Sequence, residues 1–334
     1  MKRAVSALVV IVVSLAMWAT YVIEGRASLT PYSALAFTPA QRQPAGLRVT
    51  FFGVGSLLFD DGQTAILSDG FFTRPGYLRF YLSMALPTIS PDRDLIRRYL
   101  QRANIRRLAA VIPTHSHYDH VMDAPEIAQQ TGAMLVGSES TANVGRGWGL
   151  PADRIRVIRG GEPMQFGRFR VTMVPSRHSP TPFASLLGNI TAAVRPPARA
   201  TAYKDGGTFS LVIEHDGKTL IVQPSANYVN GALQNYHADV VFLGISPGPS
   251  AAMYSEVVHA TGARRVIPIH WDDYRRPLTE PLVPMLPILP LRRAPPLASG
   301  FDRAMNVLLE SARADGVDVK LLYAWMPVDP FDGL

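Results

Sequence analysis

The segment Thr114-His115-Ser116-His117-Tyr118-Asp119-His120 constrains this chain more than any other stretch. It crowds four metal-binding side chains together in a chain with only 8 histidines among 334 residues. Packing gives no reason for that crowding, whereas imidazole nitrogens and carboxylate oxygens are the donors that divalent transition metals take. The apolar run at 108–112 reads as a short buried strand, and Asp123-Ala124-Pro125-Glu126 reads as a helix start. The cluster is therefore expected on a strand-to-helix loop, where side chains converge without interrupting a backbone ladder. With no cysteine, thiolate ligands and disulfides are excluded, so His and carboxylates must hold any metal.

An apolar fraction of 47% lets the chain bury a full core. After Lys2 and Arg3, residues 4–23 carry no charge. A helix of about 20 residues spans roughly 30 Å, the thickness of a hydrocarbon core. Residues 1–27 are accordingly expected as an uncleaved signal anchor, a transmembrane helix with the N-terminus cytoplasmic and the rest exported. A cleaved signal peptide is the alternative, with Gly25-Arg26-Ala27 a poor exit. Residues 28–45, with Pro31, Pro39 and Pro44, read as a tether to the folded part. The net charge of +7 favours an anionic partner. The arginines are scattered in pairs such as Arg97-Arg98 and Arg275-Arg276, with no aromatic-interleaved stripe, so no nucleic acid is expected.

From residue 47 strand patterns begin: 47–53, 56–59 and 64–67, with Asp60-Asp61-Gly62 as a hairpin turn. A helix is predicted over 92–103 and another over 123–131, then strands at 133–136, 155–158, 164–166 and 169–174. Later strands are expected at 209–213, 219–222, 240–243, 265–269 and 319–323, with a helix over 304–314. Hairpin runs with helices between them, in two halves, predict two sheets packed face to face with helices outside. His178 and His270 fall at predicted strand exits, like the cluster at 115–120. Alone, either would be read as structural or exposed; the shared placement makes both candidate ligands. The proline-rich stretches 179–207 and 277–296 are expected as lids or substrate walls. His215, His237 and His259 are expected at the surface or in packing, and Trp271 beside the site or in the core.

These pieces together resemble the metallo-β-lactamase fold superfamily of metal-dependent hydrolases. The resemblance rests on Ile66-Leu67-Ser68-Asp69-Gly70, the 114–120 segment, Val174-Pro175-Ser176-Arg177-His178 and Val266-Ile267-Pro268-Ile269-His270. It covers roughly residues 47–327 in the expected order, with His-x-His-x-Asp-His its most specific piece. The run Ile267 to Asp272 is similar to the branch with the L-ascorbate-6-phosphate lactonases and the N-acylphosphatidylethanolamine phospholipase D enzymes.

The resemblance implies an α+β, four-layer αββα sandwich over 46–334, following the N-terminal transmembrane helix. It implies a first zinc on His115, His117 and His178, and a second on Asp119, His120 and His270. Three neutral imidazoles would leave the first ion its full charge, enough to supply hydroxide near neutral pH. Asp119 and His120 would be catalytic residues, with Asp119 holding the second metal or orienting the nucleophile. Asp69 matches a family acid that fixes a ligand imidazole or the loop backbone; the other reading is an ordinary turn aspartate. Where the family has a metal-bridging acid, this chain has Ser225, so the second ion is expected to bind weakly or not at all. Tyr203 and Lys204 could wall the pocket or stabilise an oxyanion, or merely open the next strand at a glycine turn.

The expected activity is hydrolysis of an ester, lactone, amide or phosphodiester in a small-molecule or lipid substrate, by a membrane-anchored exported enzyme. The alternatives are a phospholipase-D-like phosphodiesterase and a metal-binding protein that lost turnover with the bridging acid.

Overall fold

The computed structural model describes residues 13–14, 26–37, 46–181, 183–246, 248–286 and 300–334. Two seven-stranded sheets carry the fold. In the first, β1 (Arg48–Phe51), β2 (Leu57–Asp60) and β3 (Ala65–Ser68) form an antiparallel meander. β4 (Ala110–Ile112), β5 (Met134–Gly137) and β6 (Ile155–Val157) then extend it in parallel from β3. The second sheet repeats the plan. β7 (Pro163–Phe166), β8 (Phe169–Ser176), β9 (Thr208–His215) and β10 (Lys218–Gln223) are antiparallel. β11 (Val240–Gly244), β12 (Arg265–Ile269) and β13 (Asp318–Val319) run parallel to β10, and β14 (Pro327–Val328) crosses back to pair with β1.

Local chemistry sets these elements. At the β2–β3 turn, Asp60 accepts from Gly62 N–H at 2.8 Å and Asp61 from Thr64 N–H at 2.7 Å. Such side-chain-closed turns are what Asp-Asp-Gly favours. Asp92 caps helix Arg93–Arg102 by accepting from Leu95 N–H, and that helix turns Ile96, Tyr99 and Leu100 inward. Both inner sheet faces contribute to one apolar core: Phe59 of β2 meets Phe242 of β11 edge to face at 5.8 Å. Helices Ala124–Thr131 and Glu139–Trp148 pack on β4, β5 and β6, and helix Gly300–Asp315 packs beside β13. The two-sheet α+β expectation therefore matches. The helices at Gly76–Ser83, Glu139–Trp148 and Ala251–Tyr254 had no strong sequence signal.

The membrane expectation is corrected. No helix of the described residues is long and apolar enough to cross a membrane. The longest among them, Gly300–Asp315, has 16 residues and charged side chains, short of the roughly 20 apolar residues that a span needs. Apart from 13–14, residues 1–25, on which the anchor was placed, lie outside the described residues. The transmembrane helix is withdrawn from the fold class, and with it the membrane-anchored, exported localisation. Residues 26–37 lie on the body: Phe37 is in the core, and Arg26 pairs with Asp273 at 3.0 Å.

A clamp outside the sheets fixes where β12 ends relative to β1. The Val54 N–H donates to Asp272 Oδ1 at 2.7 Å, and the Val54 carbonyl accepts from His270 N–H at 2.9 Å. Arg74, with a side chain as fully buried as that of Asp272, donates to its Oδ2 at 2.7 Å and to the Phe52 carbonyl. Gly53 permits this, since a Cβ there would lie 2.0 Å from the Arg74 guanidinium. Removing one partner of a buried pair strands the other charge. Asp272→Ala should therefore lose about 3–5 kcal/mol of unfolding free energy in a urea titration; a loss below 1 kcal/mol, the range of exposed pairs, would deny the clamp its role.

Candidate metal centre

The strand exits converge. β3 and β4 run in parallel, so Asp69 and the 114–120 loop leave the sheet side by side, with Asp69 N–H donating to the Ile112 carbonyl at 3.2 Å. The loop closes at once into the short helix Tyr118–Val121, which follows directly on His117. His178 follows β8 and His270 follows β12, the latter with φ +55°. The candidate ligand atoms of His115, His117 and His178 all lie within 4.8 Å of one another, and so do those of Asp119, His120 and His270. The two triads abut, with the His115 and His120 rings 3.8 Å apart at their centroids.

Hydrogen bonds at the far side of each ring decide which nitrogen faces inward. His117 Nε2 lies 3.0 Å from the Leu186 carbonyl, and His178 Nδ1 lies 2.6 Å from the Ser179 carbonyl. A carbonyl can only accept, so both nitrogens carry hydrogen. That leaves the lone pairs of His117 Nδ1 and His178 Nε2 facing each other at 3.1 Å. His120 Nδ1 lies 2.7 Å from Asp69 Oδ2, which turns its Nε2 toward His270 Nε2 at 3.2 Å. Asp119 Oδ2 completes that triad at 3.7 Å from His120 and 3.6 Å from His270. His115 Nε2 is buried without a hydrogen-bond partner among the described residues.

Two facing lone pairs repel unless a cation lies between them. Ligand nitrogens on a tetrahedral zinc stand about 3.3 Å apart, given bond lengths of about 2.0–2.1 Å. The separations of 3.1 and 3.2 Å match that spacing. The donor set and the orphaned His115 nitrogen thus fit a divalent ion.

Electrostatics keep most of the ligands ready. Burial, with repulsion from His117, holds His178 down at about 3. Burial likewise lowers His115, His117 and His270, helped in each by at least one neighbouring imidazole. For His120, burial opposes the charge, but the Asp69 and Asp119 carboxylates outweigh it and its pKa rises. Burial also opposes ionisation of Asp119, yet His120, His270 and His117 hold it below the usual carboxylate range.

The remaining expected site residues divide. Asp69 lies against the site and not in an ordinary turn. Its Oδ1 accepts from Thr114 N–H at 2.7 Å and Thr114 Oγ1 at 2.9 Å, while Oδ2 holds His120. Gly55 makes room, since a Cβ there would lie 2.1 Å from Asp69 Oδ2. Ser225 is buried just past β10, and its carbonyl accepts from Gln223 and Asn227; among the described residues no hydrogen bond links its side chain to either triad. Tyr203 is fully buried in a second apolar cluster with Tyr118 and Val121, and burial raises its pKa. Lys204 is half-buried. Trp271 fills the core. His215 is buried beside Asp61 at 3.0 Å, His259 pairs with Asp315 at 2.9 Å, and His237 is exposed.

Apart from Asp69, sequence reasoning overlooked the supports. Asn227 Nδ2 donates to the His178 carbonyl at 2.9 Å, and the buried Gln223 donates to the Asn227 carbonyl at 2.6 Å. The Asp205 carbonyl accepts from Ser116 N–H, which ties the 183–206 loop to the ligand loop. Asp272, two residues beyond His270, was the one support quoted in a motif.

Convergent His and Asp side chains at strand ends from both sheets make a donor set for a metal centre. The profile of the family described as "Beta-lactamase superfamily domain" matches residues 87–271, more than half of the chain. The chain belongs to that superfamily and is a metal-dependent hydrolase. A protein of Chloroflexus aurantiacus named a UPF0173 metal-dependent hydrolase is 28% identical over 178 residues, 52% of this chain and 68% of that one. A protein of the same description from an Exiguobacterium species is 26% identical, over 68% of this chain and 87% of its own length. Among solved structures, the metallo hydrolase Igni18 of Ignicoccus hospitalis shares the fold at TM-score 0.52 and 17% identity, covering 84% of this chain and 97% of that one. The diiron β-hydroxylase CmlA of Streptomyces venezuelae also shares it, at TM-score 0.51 and 11% identity, over 85% of this chain and 54% of that one.

Two outcomes follow. Asp69→Asn puts an amide against the His120 ring and should weaken metal binding at the His120 triad by about 10–100-fold, read by calorimetric titration; unchanged affinity would sever Asp69 from the site. For the chelator-stripped protein the sign is set by the depressed His178. Unfolded, it takes a proton near 6.5; folded, not until about 3. Its contribution is intact above 6.5 and drains as the pH falls toward 3, so urea midpoints should drop on going from pH 7.5 to 5. A midpoint that rises on acidification would contradict the assignment.

Proposed function

We propose that the centre binds zinc and hydrolyses an anionic ester, lactone or phosphodiester. The observation that carries this is the facing of His117 and His178 lone pairs at 3.1 Å, backed by the orphaned His115 nitrogen. The chemistry that a bound ion supplies is polarisation of a carbonyl or phosphoryl oxygen and hydroxide near neutral pH. His115, His117 and His178 would hold it as neutral imidazoles. Asp119, held ionised, would help hold a second ion or accept a hydrogen bond that orients the attacking group, while His120 is oriented by Asp69. His270 completes the second triad.

Among the described residues no further carboxylate joins the two triads. With Ser225 in place of a bridging acid, the second triad would hold an ion less tightly than the first. An anionic substrate is favoured by the excess of cations on segments 70–91 and 177–206, which carry Arg79, Arg177, Arg195, Arg199 and Lys204 against the single acid Asp205.

Elemental analysis of protein purified without chelators should find zinc at one to two equivalents; iron in its place would overturn the zinc assignment. Against fluorogenic phosphodiester, lactone and β-lactam substrates, turnover should appear on the first or second. His117→Ala should lower it by roughly a hundredfold or more. Activity on β-lactams alone would sink the substrate reading, and turnover indifferent to His117 would sink the site.

A further inference from the structure

Eight large apolar side chains are exposed among the described residues, and six of them lie on two neighbouring segments. Leu78 is 74% exposed, Tyr81 50%, Leu82 41% and Leu86 49%, all on or just past helix Gly76–Ser83. Phe183 at 37% and Leu187 at 47% lie on the loop after His178. The Leu86 N–H donates to the Leu82 carbonyl, so the helical turn continues and positions 78, 82 and 86 share one face. Phe80, on the opposite face, packs against Tyr118, the residue between His117 and Asp119. Helix and loop both contact the turn Ala200–Ala202, which makes them parts of one cap over the ligand loop. The cap's connection to the site is direct, since the Leu186 carbonyl, between Phe183 and Leu187, accepts from His117.

We propose that the outer face of this cap docks peripherally on an anionic lipid surface. An apolar stripe of this kind on a folded domain marks an interaction site. Charge selects the occupant. Residues 76–88 and 177–204 carry no acidic residue, and Arg79, Arg177, Arg195 and Arg199 are exposed on them; Asp205, which closes the loop, is half-buried and accepts from the Gly188 N–H. Exposed apolar side chains on segments that also carry exposed cations match an interface with acyl chains beneath negative headgroups. A second copy of the chain would set the same cations against one another. Docking here uses neither residues 1–25 nor a spanning helix. It would bring the loop that positions His117 to the lipid surface, yet it stands apart from the substrate reading because its test reads no turnover.

The test is hydrogen–deuterium exchange of the metal-loaded full chain, followed by mass spectrometry of peptides over 76–88 and 183–199. Vesicles of phosphatidylcholine mixed with phosphatidylglycerol should slow exchange in both peptides several-fold, and pure phosphatidylcholine should not. L78E/L82E should weaken vesicle binding by about tenfold or more, since binding scales with buried apolar area, while melting temperature and metal content stay as in the parent. Four results would overturn the proposal: no slowing with either vesicle, equal slowing with both, slowing already present without lipid, or equal slowing with polyglutamate, which would point to an acidic protein.

Discussion

Imidazole nitrogens that present lone pairs to one another cannot be left so without a cation, and this fold invests its buried polar groups in holding them there. Each inward-facing nitrogen of His117, His178 and His120 is fixed by an acceptor on the opposite side of its ring: the Leu186 carbonyl, the Ser179 carbonyl and Asp69. Those acceptors come from two separate parts of the chain, the loop after β8 and the end of β3. The ligand geometry is therefore a property of the assembled loops and not of the 114–120 segment alone.

The two supporting carboxylates share a design. Asp69 and Asp272 each bind a backbone N–H and a side chain, Asp69 at the two ends of the 114–120 loop and Asp272 on two different loops, and each needs a glycine beside it, Gly55 and Gly53 respectively. Both glycines lie in the β1–β2 turn. That turn is thus the common floor for the ends of β3 and β12, and through them for His120 and His270. A side chain at either glycine would displace a carboxylate that orients a candidate ligand. The parallel pairing of β3 with β4 sets Asp69 beside Thr114, and the clamp at Val54 does the same for β12 across the sandwich.

Above this floor the cap is built differently. Its inner side is a small separate apolar cluster with Phe80, Tyr118 and Tyr203, and its outer side leaves apolar groups in water. The floor holds the carboxylates that orient the donors, and the roof packs locally on the ligand loop through Tyr118. Tyr203, expected near the chemistry, belongs to the roof's packing.

Much of the site was legible in the chain because its ligands occupy positions where neither core nor surface asks for His. Short-range patterning also announced most strands, the Asp60-Asp61-Gly62 turn and the Asp92 cap, all governed by neighbours within a few residues. A charge-free run at 4–23 suggested a membrane span by the same local logic, and no helix of the described residues bears it out. Hydropathy counts residues but does not test whether they form a spanning helix. Asn227, Gln223, Arg74 and the exposed cap stripe were not readable. An amide or guanidinium has no periodic signature, and its partners lie tens to hundreds of residues away. The sequence by itself determined which donor atoms this protein owns and that they fall at strand ends. Only the tertiary structure decided which nitrogen of each ring faces inward and which carboxylate supports which loop, because both depend on acceptors brought close when the two sheets pack.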